Sequence, residues 1–171
     1  MSTLVDHQIN NLNTKLVTPF NKLQVNPASY DVRLGKNLRI ENPDGSWGYA
    51  TTPYTFEPGE FLLGETQEMF SLPSDIEAIF MLKSSRGREG FEHVLSGYID
   101  PGYCGRITLE LVNVNRYRKL ILEEGMLIGQ VRYMFTDKRC KRPYSVTGHY
   151  QGHNRVMPSM VDAFGRPRVD M

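Results

Sequence analysis

Apolar positions along this chain recur in short runs, and their period changes once. Val5, Ile9, Leu12 and Leu16 are spaced by four, three and four, which predicts an amphipathic helix of about three to four turns packed on a sheet. Thr3 with Asp6 offers a weak cap in front of it, and Pro19 is expected to end it. From Gln24 the pattern turns to alternation: Tyr30, Val32 and Leu34 oppose Asp31 and Arg33, and Gly35 closes the run. Residues 41–53, with Asn42-Pro43-Asp44-Gly45 and a second proline, read as a turn-rich connection. Glu57-Pro58-Gly59-Glu60 and Glu123-Glu124-Gly125 are turn signals that precede the apolar runs Phe61–Leu63 and Met126–Ile128. Between them lie Ile76–Leu82, Ile107–Val112 and Leu120–Leu122. Short runs punctuated by Gly and Pro, with one helix, predict an all-β barrel or sandwich.

The totals narrow the function classes. A chain of 171 residues is expected to be one domain with a real core. With 20 basic and 19 acidic residues the net charge is +1, so no global field draws it to nucleic acid or to a membrane surface. Affinity for phosphate must come from a local cluster. Cys104 and Cys140 stand apart and outside any C-x-x-C, so reduced thiols are expected. No leader or apolar spanning run is visible, and a cytoplasmic protein is expected.

Chemistry concentrates between Lys83 and Asn113. Lys83, Ser84, Ser85, Arg86, Gly87 and Arg88 offer many donors and no carboxylate before Glu89. In a Gly-containing turn such donors suit phosphate oxygens, although a solvated basic loop has the same composition. Asp100 precedes Pro101-Gly102, where an aspartate commonly only braces a turn. On the run 107–112, Ile107, Leu109 and Leu111 share one face, and Thr108, Glu110 and Val112 share the other. Taken alone, Glu110 reads as the solvent-facing residue of a half-exposed strand.

Five motifs in order change that reading. KSSRGREG (83–90), IDPGYCG (99–105) with Leu109-Glu110, PASYDVRLG (27–35), GMLIGQ (125–130), and Arg142-Pro143-Tyr144 with His149-Tyr150-Gln151-Gly152 run over nearly the whole chain. Together they resemble the zinc-independent dCTP deaminase branch of the trimeric dUTPase superfamily. The resemblance implies a mainly β, dUTPase-like distorted β-barrel (β-clip) with a short N-terminal helix. It implies a homotrimer with shared sites, and a C-terminal segment, 138–171, that closes over the nucleotide.

The same resemblance implies roles. Glu110 becomes the acid/base, with Arg88 and Ser84 beside it in catalysis. Lys83, Ser84, Ser85, Arg86, Gly87 and Arg88 hold phosphates. Asp100 bonds the sugar 3′-hydroxyl while Tyr103 packs on the deoxyribose face. Thr108, Leu109, Tyr144, His149, Tyr150 and His153 complete the substrate contacts. Mg²⁺ is expected on the triphosphate, and zinc is not expected. The H-x-E and P-C-x-x-C pattern of zinc deaminases has no counterpart here, because His7, His93, His149 and His153 are followed two residues on by Ile9, Leu95, Gln151 and Arg155. The expected reaction is dCTP plus water giving dUTP and ammonia, with dTTP a candidate inhibitor. Two alternatives stand beside it: a bifunctional enzyme that continues to dUMP and diphosphate, and a silent nucleotide-binding regulator. The chain departs from the family pattern at His149 and His153, which replace a lysine and a glutamine, at Arg155, where glycine is usual, and at Ser96, where alanine is frequent beside the pyrimidine.

Overall fold

Apolar runs too short to bury a helix pair instead as strands, each hiding one face. The computed structural model describes residues 2–94, 97–161 and 165–166. Its first half comprises β1 (Ser2–Thr3), α1 (Asp6–Leu12), β2 (Val17–Thr18), β3 (Val25–Asn26), β4 (Ser29–Arg33), β5 (Asn37–Glu41), β6 (Trp47–Thr51), β7 (Tyr54–Phe56) and β8 (Phe61–Ser71). The second comprises β9 (Ile76–Leu82), α2 (Ser84–Glu89), β10 (Phe91–His93), β11 (Gly97–Ile99), β12 (Cys104–Asn113), β13 (Leu120–Leu122), β14 (Leu127–Phe135) and α3 (Tyr144–Thr147).

All pairings are antiparallel among the described residues. One sheet runs β11-β9-β14-β4-β3 with β1 added to β14, and the other runs β10-β12-β8-β5-β6 with β2 added to β8. A small β13-β7 ribbon completes the set. The fold is mainly β and distorted rather than closed, and the core includes Tyr30, Leu34, Phe56, Phe70, Phe80 and Leu109. On β12 burial alternates residue by residue, with 107, 109 and 111 inward and 108, 110 and 112 on the partly open face, as the period of two requires. No helix among the described residues is long and apolar enough to cross a membrane.

Three local expectations need correcting. The N-terminal helix is shorter than its spacing predicts: α1 holds seven residues and passes into a 3-10 turn at Asn13–Lys15. Asn13 takes φ 35°, near the left-handed region through which a chain leaves a helix, so the helix stops well before Pro19. Thr3 belongs to β1, and the cap is made at Val5, whose N–H donates to Gln8 Oε1 at 3.1 Å. The connection at 41–53 is half strand. β6 pairs with β5, Arg39 opposite Tyr49, and the turn is confined to 42–46, where Asp44 Oδ1 accepts from the Ser46 N–H at 2.9 Å.

The third correction concerns 83–90, which folds as a helix rather than a turn. Lys83 is extended at its N-cap, and Gly90, at φ 99°, ends it in the left-handed region. A Cβ on Gly90 would sit 2.0 Å from Asn115 Nδ2, so glycine is required there. The start of α2 is pinned to β14 by the Lys83 N–H on the Ile128 carbonyl at 3.1 Å. It is pinned to β4 by Lys83 Nζ on Asp31 Oδ2 at 2.5 Å. That pairing, with Asn26 Nδ2 on Asp31 Oδ1 at 2.9 Å, explains why Asp31 is buried despite its polar place in the alternation.

Candidate active site

The open face of strand β12 ends in a concavity rather than in bulk solvent. A cavity of about 540 Å³ opens there, with Asp100, Tyr103, Thr108, Glu110, Tyr144 and His153 among its polar lining. Trp47, Phe61, Leu63, Ile107 and Met157 supply apolar wall. Trp47 meets Phe61 edge-on at 6.0 Å between ring centroids. A register shift between Arg106 and Thr108 interrupts the β12–β8 ladder, and such bulges re-aim side chains. Here the Ile107 N–H donates to Thr66 Oγ1 at 3.1 Å, and consecutive residues Ile107 and Thr108 both reach the cavity.

Glu110 sits opposite Leu63 on β8. Burial pushes its carboxyl above the usual carboxylate range, since a poorly solvated site penalises the charged form. Its side chain keeps 31% of its surface exposed, and Oε2 lies 3.3 Å from Nε2 of His93, which is only 5% exposed. The His93 ring also lies 4.8 Å from that of Phe80. Asp100 is likewise raised, first by burial and then by Glu77. The Tyr103 hydroxyl donates to the Arg106 carbonyl at 2.5 Å, and its ring meets Tyr144 edge-on at 5.5 Å. Arg106, also in the lining, is locked by Nη1 donating to the carbonyls of Thr66 (2.8 Å) and Gln67 (2.6 Å).

The C-terminal segment reaches this cavity as a strap. Gly152 N–H donates to the Cys104 carbonyl at 2.8 Å, and the Arg106 N–H donates to the His153 carbonyl at 2.9 Å. Gly105, at φ 146°, lies so close beneath that a Cβ would meet the His153 carbonyl oxygen at 2.8 Å. The Tyr144 hydroxyl accepts from the Tyr150 N–H at 3.2 Å, and the Tyr150 hydroxyl accepts from the Met160 N–H at 3.0 Å.

Of the residues expected from sequence, Asp100, Tyr103, Thr108, Glu110, Tyr144, Tyr150 and His153 converge on one cavity. Lys83, Ser84, Ser85, Arg86, Gly87 and Arg88 are not in its lining. They lie at α2, where Ser84, Ser85, Gly87 and Arg88 are exposed, Lys83 is engaged by Asp31 and Arg86 by Glu89 at 2.5 Å. Leu109 faces the core, fully buried, and not the cavity. His149 is exposed and outside the lining. Ser96 lies outside the described residues. Sequence reasoning missed His93 as a partner of Glu110. The available signal was a polar residue in the strand-forming triplet next to β12, but only the register, His93 opposite Leu111, brings the two together.

Comparison with known proteins fits this architecture. The pattern of the dCTP deaminase-like family matches residues 3–136. A dCTP deaminase, dUMP-forming, from Mycobacterium leprae is 37% identical over 163 residues, covering 84% of this chain and 85% of the relative. One from Coprothermobacter proteolyticus is 36% identical over 154 residues, covering 80% and 82%. In three dimensions the chain resembles 2′-deoxycytidine 5′-triphosphate deaminase of Agrobacterium tumefaciens, with TM-score 0.67 at 22% identity, over 78% of this chain and 49% of that one. The chain thus spans about half the length of that structure. A variant dUTPase from phage phi11 of Staphylococcus aureus matches with TM-score 0.50 at 15% identity, over 66% of this chain and 80% of that one. The fold is dUTPase-like. The chain belongs to the dCTP deaminase-like family.

Proposed function

We propose that the protein deaminates dCTP and carries the product on to dUMP and diphosphate. The observation that carries the first half is Glu110: a carboxyl in a cavity, whose protonated form burial favours, can take and return protons. It takes a proton from water, and the hydroxide adds to C4 of cytosine. The same carboxyl delivers that proton to N3, then takes the proton of the new C4 hydroxyl and passes it to the exocyclic amine, which leaves as ammonia as the C4–N bond breaks and the C4 carbonyl forms. Across the step dCTP and water give dUTP and ammonia. Tyr103 stacks on the deoxyribose, which leaves no room for a 2′-hydroxyl, and Asp100 accepts from the 3′-hydroxyl.

Support for the second half comes from relatives, since those at 36–37% identity are dUMP-forming. In that step water attacks the α-phosphorus and diphosphate departs, with Asp100, itself raised by burial, serving both reactions. Mg²⁺ enters as part of the nucleotide complex.

The donors of α2 stand outside the Glu110 cavity of their own chain, so the complete site is assembled from two chains of a trimer. Ser84, Ser85 and Arg88 come from one, and Asp100, Thr108 and Glu110 from its neighbour. Anion-exchange analysis of the products from dCTP tests the reading. Equimolar dUMP and diphosphate are expected; accumulation of dUTP leaves only the deaminase, and unchanged dCTP would leave a nucleotide-binding regulator.

A further inference from the structure

A second concavity, of about 630 Å³, lies between the β5–β6 hairpin and residues 154–156 of the strap. Its polar lining is Asn37, Arg39, Thr51, Asn154 and Arg155, with no carboxylate among the described lining residues. The Arg39 guanidinium lies over the Tyr49 ring, 3.8 Å from its centroid, so stacking fixes the plane of its donors. Arg39 Nε and Nη1 are buried and have no hydrogen-bond partner among the described residues. Buried donors on a permanent cation are costly to leave unsatisfied. Glu65, which accepts from Asn37 Nδ2 at 2.7 Å, is not part of the lining, and burial raises its carboxyl. Arg155 adds a second, exposed cation from the strap, and the reaction proposed for the Glu110 cavity makes no use of it.

We propose that this pocket is a second anion site, taking a small phosphate-type oxyanion between Arg39 and Arg155, with the amides of Asn37 and Asn154 as further donors. One guanidinium fixed by stacking, a second that is exposed, two amides and a hydroxyl match the several acceptor oxygens of phosphate or diphosphate. The inference does not rest on the reaction assigned to the other cavity. Calorimetric titration of the wild-type protein with inorganic phosphate and, separately, with diphosphate tests it, each run with and without saturating α,β-imido-dUTP. One oxyanion per chain that still binds beside the nucleotide analogue is expected, and the tighter of the two anions identifies the source. Arg155→Ser, at an exposed position, lowers that affinity at least about tenfold, while Arg155→Lys keeps it within about threefold. Absence of binding in the presence of the analogue, or equal affinity in Arg155→Ser, overturns the proposal. So does a trimer structure with a neighbouring chain's carboxylate on Arg39.

Discussion

On β12 the candidate carboxyl is sunk in a cavity with His93 3.3 Å away, whereas on α2 the candidate hydroxyls and Arg88 stand in solvent. The two regions differ in how much solvent reaches them. A proton carrier needs poor solvation to sit near neutral pH. Phosphate-binding donors gain more from reach and charge, and arginine tolerates exposure without losing either. Each region has its complementary group already engaged: Arg106, in the cavity lining, donates to the Thr66 and Gln67 carbonyls, and Glu89, the carboxylate of α2, is paired with Arg86.

The comparison can be broken hardest at the carboxyl. Glu110→Gln is expected to lower the deamination rate constant by about a thousandfold, near the middle of the range for a general acid/base. Nucleotide affinity, read by calorimetry, should stay within a few-fold. An equal loss of both would mean that Glu110 binds rather than carries protons. Arg88→Ala is expected to abolish turnover at subsaturating dCTP for the opposite reason. Mixing it with Glu110→Gln chains, unfolding and refolding them together, should restore about a quarter of wild-type activity, since that fraction of randomly assembled shared sites regains both groups. No recovery would sink the two-chain site.

A finer probe is His93→Ala, expected to reduce kcat about ten- to a hundredfold with KM little changed, because it holds the carboxyl rather than the nucleotide. The smallest effect is on stability. A carboxyl raised by folding stabilises the protein while protonated, below its unfolded value, and loses that contribution as pH rises through its folded value. Glu110→Gln should therefore raise Tm by a few degrees at about pH 8 and leave it unchanged at about pH 4. A variant less stable at the higher pH would show that burial is not what governs Glu110.

Much of this was legible before folding. The alternation 107–112 set the inward and outward faces of β12, and the turn signals bracketed most strands. β6 was hidden because Asn42, Pro43 and Gly45 dominate the local composition, although Trp47, Tyr49 and Thr51 alternate as strand residues do. The helical state of 84–89 was hidden by Gly87 and two serines, which score as turn formers; its cause is Gly90 ending the helix and Lys83 tied to β4 and β14 at the start. His93 was illegible for a different reason. Its partner is fixed by strand register across residues far apart in sequence, and period alone carries no register.

The strap fastens through main-chain groups, Gly152 to Cys104 and Arg106 to His153, with Gly105 cleared of a side chain to admit it. The Gln151 amide adds to them, accepting from the Cys104 N–H at 3.0 Å and donating to the Gly102 carbonyl at 3.2 Å, while the main-chain bonds make no demand on the side chains at 149, 153 and 155. Residues 149, 153 and 155 are thus interchangeable fittings on a constant rail. The residues this segment presents can therefore change while its attachment to β12 stays as it is.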